Sequence, residues 1–357
     1  MIAFDITLER GINQRITHTE FNIPGQVVAW FGAMQAQDYT SAKWAVGLRC
    51  SDATEDSVED AIINGEIVRT WLNRGTKHFA AKQDVIWMLL LLSPVVIAKS
   101  GKRYRQLELD DETFTRSFKT LSKALQKEKQ LTRADLLLTL EKAGITTEGQ
   151  RGYHILRRAG LEGLICFGPM TGKQESFVLL DDWVYDQINM SRDEALAGLA
   201  KRYFDSHGPA TLNDYMWWSG LPVSDARTGL EMVESRLRHE IVNGQIYWMP
   251  PKPHTLRNFT PTACLLPAYD EYLLGYKERS AVLDPRYDKK AVSGNGVFRA
   301  VILLDGQVVG VWKKEPRKDS IKISSSPFKV MTKTEIQVLI SAVKSYSKYC
   351  EMPAELD

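Results

Sequence analysis

The sequence predicts an α+β protein in which tandem winged helix-turn-helix modules are followed by a C-terminal β-barrel-like domain. Three observations predict it. Helices leading into a β-hairpin recur along residues 1–250, with Gly65, Gly163 and Gly244 at equivalent joints, roughly 80 to 100 residues apart, a spacing suited to small modules rather than a solenoid. Past Pro250-Pro251-Lys252-Pro253, a stiff linker, the helical period gives way to strands. A chain of 357 residues also exceeds one ordinary core. The expected division is 1–98, 110–185 and 186–250 for the three winged-helix modules and 256–357 for a β-barrel with a terminal helix.

Taken in order, Phe4 to Ile12 suits a short amphipathic helix, and Pro24 opens a second through Val27, Val28, Trp30 and Phe31. Gln35-Ala36-Gln37 then falls in a loop or distorted helical turn before a helix near Ser41. Thr54-Glu55-Asp56-Ser57 starts another helix, its acids at the positive end of the dipole, which stops at Asn64-Gly65. Ile67 to Trp71 and Lys77 to Phe79 form a hairpin around Asn73-Arg74-Gly75. The apolar run Val85 to Ala98 is too short for a membrane span and is interrupted by Pro94, so it reads as a buried helix.

The order then returns. Thr132 caps a helix ending at Gly144, Thr147 opens the next, and Glu162-Gly163-Leu164-Ile165 leads into a hairpin across Pro169 to Lys173. Ala195 to Ser206 is helical, Thr211 caps a second helix, and Ser224 opens a third that runs to Asn243-Gly244. In the last third, Asp305-Gly306 between Val297–Leu304 and Gln307–Trp312 is a strong hairpin signal. Ser320 to Ser324 adds a strand, and Ile336, Leu339, Ile340 and Val343 mark a closing helix.

Composition bounds the function. With 44% hydrophobic and 25% charged residues the chain reads as soluble and globular, and a formal charge of +2 requires nucleic-acid binding to come from local patches. Lys99, Lys102, Arg103 and Arg105, and Lys313, Lys314, Arg317 and Lys318, are basic runs that suit either such patches or a solvated face. Cys50, Cys166, Cys264 and Cys350 form no C-x-x-C pair, and the six histidines no H-E-x-x-H, so no metal site is expected. The N-terminus lacks a basic segment followed by an apolar run; reduced thiols, a cytoplasmic location, no membrane contact and a monomer are the expectations.

Three segments concentrate reactive groups. Glutamine is costly to bury unless both ends of its amide are partnered, so Gln35 and Gln37, two residues apart, either cap backbone or face one concavity. The hairpin segment Arg69, Thr70, Arg74, Gly75, Thr76, Lys77 and His78 has the composition of a phosphate-contacting wing, or of a solvated charged hairpin. Asp270-Glu271-Tyr272-Leu273-Leu274-Gly275-Tyr276-Lys277 reads more readily as a polar network holding two domains together than as a catalytic cluster.

These segments in this order, with Asn295-Gly296-Val297-Phe298-Arg299 and Asp305-Gly306, resemble the AlkZ-like winged-helix DNA glycosylases, in their Gln-x-Gln branch, over nearly the whole chain. The resemblance implies tandem winged helices with a C-terminal β-barrel, double-stranded DNA carrying alkylated bases as partner, and Gln35 and Gln37 in the catalytic position. Asp38 lies outside that pattern. No lysine is placed to form a Schiff base, so a monofunctional enzyme without strand cleavage, cofactor or metal is implied. A purine alkylated at N7 or N3 is already cationic and needs no strong general acid to leave, so two oriented amides suffice to place water and face the developing sugar cation. A non-catalytic winged-helix DNA-binding or regulatory protein is the alternative, and a protein-interaction scaffold a third reading.

Overall fold

A computed structural model describes residues 4–184, 188–251 and 262–357. The linker positions Lys252 and Pro253 and the expected boundary at 256 lie outside the described residues. The chain is mixed α+β. Helix α1 (Ile6–Asn13) is capped by Asp5, and α2 (Pro24–Phe31) starts on Pro24 and ends at Gly32, whose φ of 77° turns the chain into strand β1 (Ala33–Gln35). Then come α3 (Tyr39–Gly47), capped by Asp38, and α4 (Glu55–Ile63), opened by a reciprocal Thr54–Ser57 capping box. The hairpin β2 (Ile67–Trp71) and β3 (Lys77–Ala81) follows as expected.

The Gln35 segment departs from expectation: it is a strand, paired to β3 with Ala33 opposite Ala80, Met34 opposite Phe79 and Gln35 opposite His78. Helix α5 (Val85–Gln106) also runs through Pro94 for 22 residues. Leu90, whose carbonyl loses its N–H partner, and Pro94 both lie on the exposed side of the helix, where that carbonyl is open to solvent. Val85, Met88, Leu89, Leu91 and Leu92 are buried on the other side.

The second unit contains α6 (Asp111–Glu128), a helix not anticipated, then β4 (Leu131–Thr132), α7 (Arg133–Lys142), α8 (Arg151–Leu161), β5 (Ile165–Thr171) and β6 (Gln174–Leu179). Thr147 does not open α8; its N–H and hydroxyl bond Glu141, and Gln150 in a left-handed conformation precedes the helix. Strands β1 to β6 form one continuous sheet in the order β1-β3-β2-β5-β6-β4, joined between the two hairpins where Arg69 pairs with Phe167.

Helices α9 (Arg192–His207), α10 (Leu212–Ser219) and α11 (Val223–Val233) lead into the hairpin β7 (Arg238–Val242) and β8 (Gln245–Met249). The third helix ends ten residues before Asn243-Gly244, which is the tip of that hairpin. Gly65 and Gly163 follow helices and precede strands, so Gly244 is not their equivalent. Asn-Gly suits both a helix end and a two-residue hairpin turn, and here the turn wins.

The last unit comprises β9 (Ala263–Leu266), α12 (Glu271–Leu274), α13 (Asp288–Ala291), β10 (Val301–Leu304), β11 (Gln307–Pro316), β12 (Ile321–Pro327), α14 (Lys333–Tyr349) and β13 (Ala354–Leu356). Its curled five-stranded sheet has the order β13-β12-β11-β10-β9, with Asp305-Gly306 at the β10–β11 turn. This sheet shares a core with the N-terminal helices. Trp44 of α3 donates its indole N–H to Leu265 O (2.7 Å) and packs against the rings of Tyr346 and Tyr349.

Candidate active site

The conformation at Gly32 aims the chain along the edge of β3, and the ladder continues past β1 through the Ala36 N–H to Lys77 O bond (2.8 Å). Asp38 then ends the extended run by capping α3 at Ser41 N (2.8 Å). The motif Gln35-Ala36-Gln37 is thereby fixed between a strand and a helix start. Gln35 is buried, 8% exposed, and Gln37 is exposed.

Gln35, His78 and Thr70 occupy one cross-strand row of β1, β3 and β2, so their side chains share a face of the sheet. Thr76 Oγ1 lies 3.2 Å from Gln35 Oε1 and 3.1 Å from Asn73 O, and its single proton serves one of them at a time. His78 is fully buried with Nδ1 2.9 Å from Thr76 O. A carbonyl only accepts, so Nδ1 carries the proton and Nε2 is left as a bare acceptor, without a partner among the described residues. Burial lowers its pKa to about 4, and the ring is neutral at pH 7. Thr70 Oγ1 and both amide atoms of Asn73 are likewise buried and unpartnered among the described residues. A row of unmet polar groups therefore backs Gln35.

The hairpin's cations divide into two sets. Arg69, 3% exposed, donates to Ala36 O from Nε and Nη2 and pairs with Glu175 through Nη1 (2.9 Å). Lys77 shares the same carboxylate (2.5 Å). Burial lowers both cations' pKa values against the pull of Glu175. Gly75 packs rather than opens: a Cβ there would lie 2.6 Å from Val96 Cγ1 and collide with the Arg157 guanidinium. Arg74 is partly exposed, donates to Trp217 O (2.6 Å) and lies 5.5 Å from the Trp217 ring centre. Together with Lys99, Arg157, Ser100 and Ser219 it lines a recess of about 140 Å³. Arg74, Lys99 and Arg157 have no carboxylate partner within 4 Å among the described residues and hydrogen-bond carbonyls and Ser100 instead.

The Asp270 segment forms the polar network expected of it. Asp270 takes both ends of the buried Arg49 fork (2.7 and 2.8 Å), while Arg49 also donates to Gln14 and Ala45 carbonyls. Glu271, 1% exposed, draws its partners from far away in sequence, so the local pattern does not mark it out. Its Oε1 accepts the backbone N–H of Gln35 (2.8 Å), and its Oε2 accepts the Trp218 indole N–H (3.1 Å) and lies 3.3 Å from His207 Nε2. Burial alone would raise its pKa, but the hydrogen bonds it accepts, from His207 and from the Gln35 N–H, outweigh it, so Glu271 stays ionised. Burial also lowers the pKa of His207.

Comparison with known proteins adds an independent line. A family model described as DNA glycosylase AlkZ-like matches residues 28–349. The interstrand DNA cross-link repair glycosylase of Streptomyces sahachiroi is 26% identical over 310 residues, which are 80% of this chain and 81% of that protein. The solved structure of Streptomyces sahachiroi DNA glycosylase AlkZ superposes with a TM-score of 0.80 at 20% identity, covering 99% of this chain and 98% of the other, a likeness of fold.

Proposed function

The chain belongs to the AlkZ-like DNA glycosylase family, and on that premise we propose that it excises purines alkylated at N7 or N3, crosslink adducts among them, with Gln35 and Gln37 as its catalytic residues. It is a hydrolase acting on N-glycosyl bonds of damaged DNA. The observation that carries the assignment of residues is the fixed Gln35-Ala36-Gln37 segment, with one amide held inside the fold and the other presented to solvent.

The two glutamines divide the work. Gln37, exposed, reaches the sugar and the attacking water, while Gln35, steadied by Thr76, turns its carbonyl dipole toward the developing cation. Both groups are neutral, which suffices because the alkylated base carries the positive charge that weakens its own bond. Hydrolysis is then monofunctional, with water as nucleophile.

We read 1–98, 110–185 and 186–250 as winged-helix modules and 256–357 as a barrel-like domain, supported by the hairpins β2–β3, β5–β6 and β7–β8 that follow helices in each of the first three. Within the first hairpin, Arg74, Thr76 and Lys77 contact the DNA backbone, and Arg69, Thr70, Gly75 and His78 shape the wing that presents them. The recess at Arg74, Lys99 and Arg157 extends this to a phosphate, since three cations without a carboxylate line it. Incubation with duplex DNA containing 7-methylguanine tests the reading: free base and abasic sites are expected, and their absence on both methylated and crosslinked duplexes would overturn it.

A further inference from the structure

Resting on that glycosylase reading, we infer that Glu271 is a positioning residue of the excision site. It supplies a buried negative charge behind Gln35 that favours the cationic sugar of the transition state.

The need follows from the charge balance. When the bond between N9 and C1′ breaks, its electron pair leaves with the base and cancels the alkylated base's positive charge. The positive charge passes to C1′ and O4′ until water adds and gives up a proton. A DNA-binding surface opposes this transfer, because the cations that hold phosphates also repel a sugar cation. Arg74 lies close enough to both Glu271 and Arg279 for its charge to interact with theirs. Gln35 and Gln37 offer dipoles but no net charge, and His78 and His207 are neutral at pH 7.

Glu271 is the buried anion bonded to the backbone of Gln35. Its neighbour Asp270 is matched by the Arg49 fork, whereas the one ion-pair partner of Glu271 within 4 Å among the described residues is the uncharged His207 ring. Its negative charge is therefore uncompensated at contact distance, in a setting of low dielectric where its field is strong. The bond to the Gln35 N–H places that charge directly behind the residue facing the reaction, and simultaneously fixes the backbone from which the Gln35 amide projects. Trp218 and His207 hold the second oxygen, so the carboxylate cannot rotate away.

The test compares two abasic-site analogues in one duplex, a cationic pyrrolidine (azaribose) and the neutral tetrahydrofuran. Wild type is expected to bind the cationic analogue at least about tenfold more tightly. Glu271→Gln, which keeps the shape and an oxygen for the Gln35 N–H, is expected to lose that preference while binding tetrahydrofuran within about twofold of wild type. Its single-turnover excision of 7-methylguanine is expected to fall about 10²-fold. A purely structural role would weaken both complexes alike and leave their ratio unchanged, overturning the inference. So would a wild type that shows no preference, a result that needs no variant to fold. Failure of wild type to release 7-methylguanine would instead strike at the glycosylase reading itself.

Discussion

Arg69 sends two hydrogen bonds, from Nε (3.0 Å) and Nη2 (2.9 Å), to the carbonyl of Ala36, the residue between Gln35 and Gln37. The guanidinium thus clamps the motif's backbone and takes Glu175 with its remaining nitrogen. Replacing Arg69 by Ala leaves Glu175 to Lys77 alone and strands the Ala36 carbonyl, and about 2 kcal/mol of stability is expected to be lost. Lysine cannot restore the fork and is expected to recover little of it. Urea unfolding measures both, and the salt dependence of duplex binding should stay as in wild type. A stable Arg69→Ala protein with a shallower salt slope would make Arg69 a phosphate contact instead.

Gln35→Ala and Gln37→Ala should separate structure from chemistry. Both are expected to lose excision while retaining duplex affinity. Gln37 is exposed, so its removal should change stability by no more than about 0.5 kcal/mol. Gln35→Ala removes a buried group and leaves Thr76 with one acceptor fewer, costing about 1–2 kcal/mol. Single-turnover rates beside thermal melts report the split.

The buried His78 ring gives stability a pH dependence. Its folded pKa of about 4 lies below the ordinary value of 6.5, so the unfolded chain takes up a proton first as pH falls. The associated stability is whole above pH 6.5 and drains away between 6.5 and 4, by about 3 kcal/mol. His207, whose pKa burial also lowers, acts in the same direction. Denaturant titrations of His78→Gln should show a shallower decline across that window than wild type; an equal slope would remove His78 as its source.

Lys99 and Arg157 supply a test of the recess. If each holds a phosphate, Lys99→Ala and Arg157→Ala should each lower the slope of log affinity against log salt by about 0.9. Lys99 is exposed, so its loss should leave the melting temperature unchanged, while Arg157, bonded to Gly75 O (3.1 Å), should also loosen the hairpin. Unchanged slopes in filter-binding assays would place the DNA elsewhere.

What the sequence discloses depends on the range of the interaction. Thr54 with Ser57, Asn64-Gly65 and Asp305-Gly306 act on neighbours within a few residues, and the helix start, helix end and hairpin turn stand where the sequence puts them. Strand β1 is three residues long and exists by pairing with β3, more than forty positions on, so no local pattern announces it. Arg69, a cation in a hairpin, has the look of a surface contact until Glu175 is seen beside it, and Glu271 has no meaning apart from Gln35, His207 and Trp218. The Gln-x-Gln motif could be located in the chain; the anion behind it could not.

The pairing of Arg69 with Phe167 joins the first two hairpins into one sheet. Two hairpins joined edge to edge in one sheet do not move independently of each other. On the proposed placement of the site at Gln37, the bending that brings a damaged nucleotide there comes from the duplex, and lesions that soften base stacking are expected to be admitted most readily.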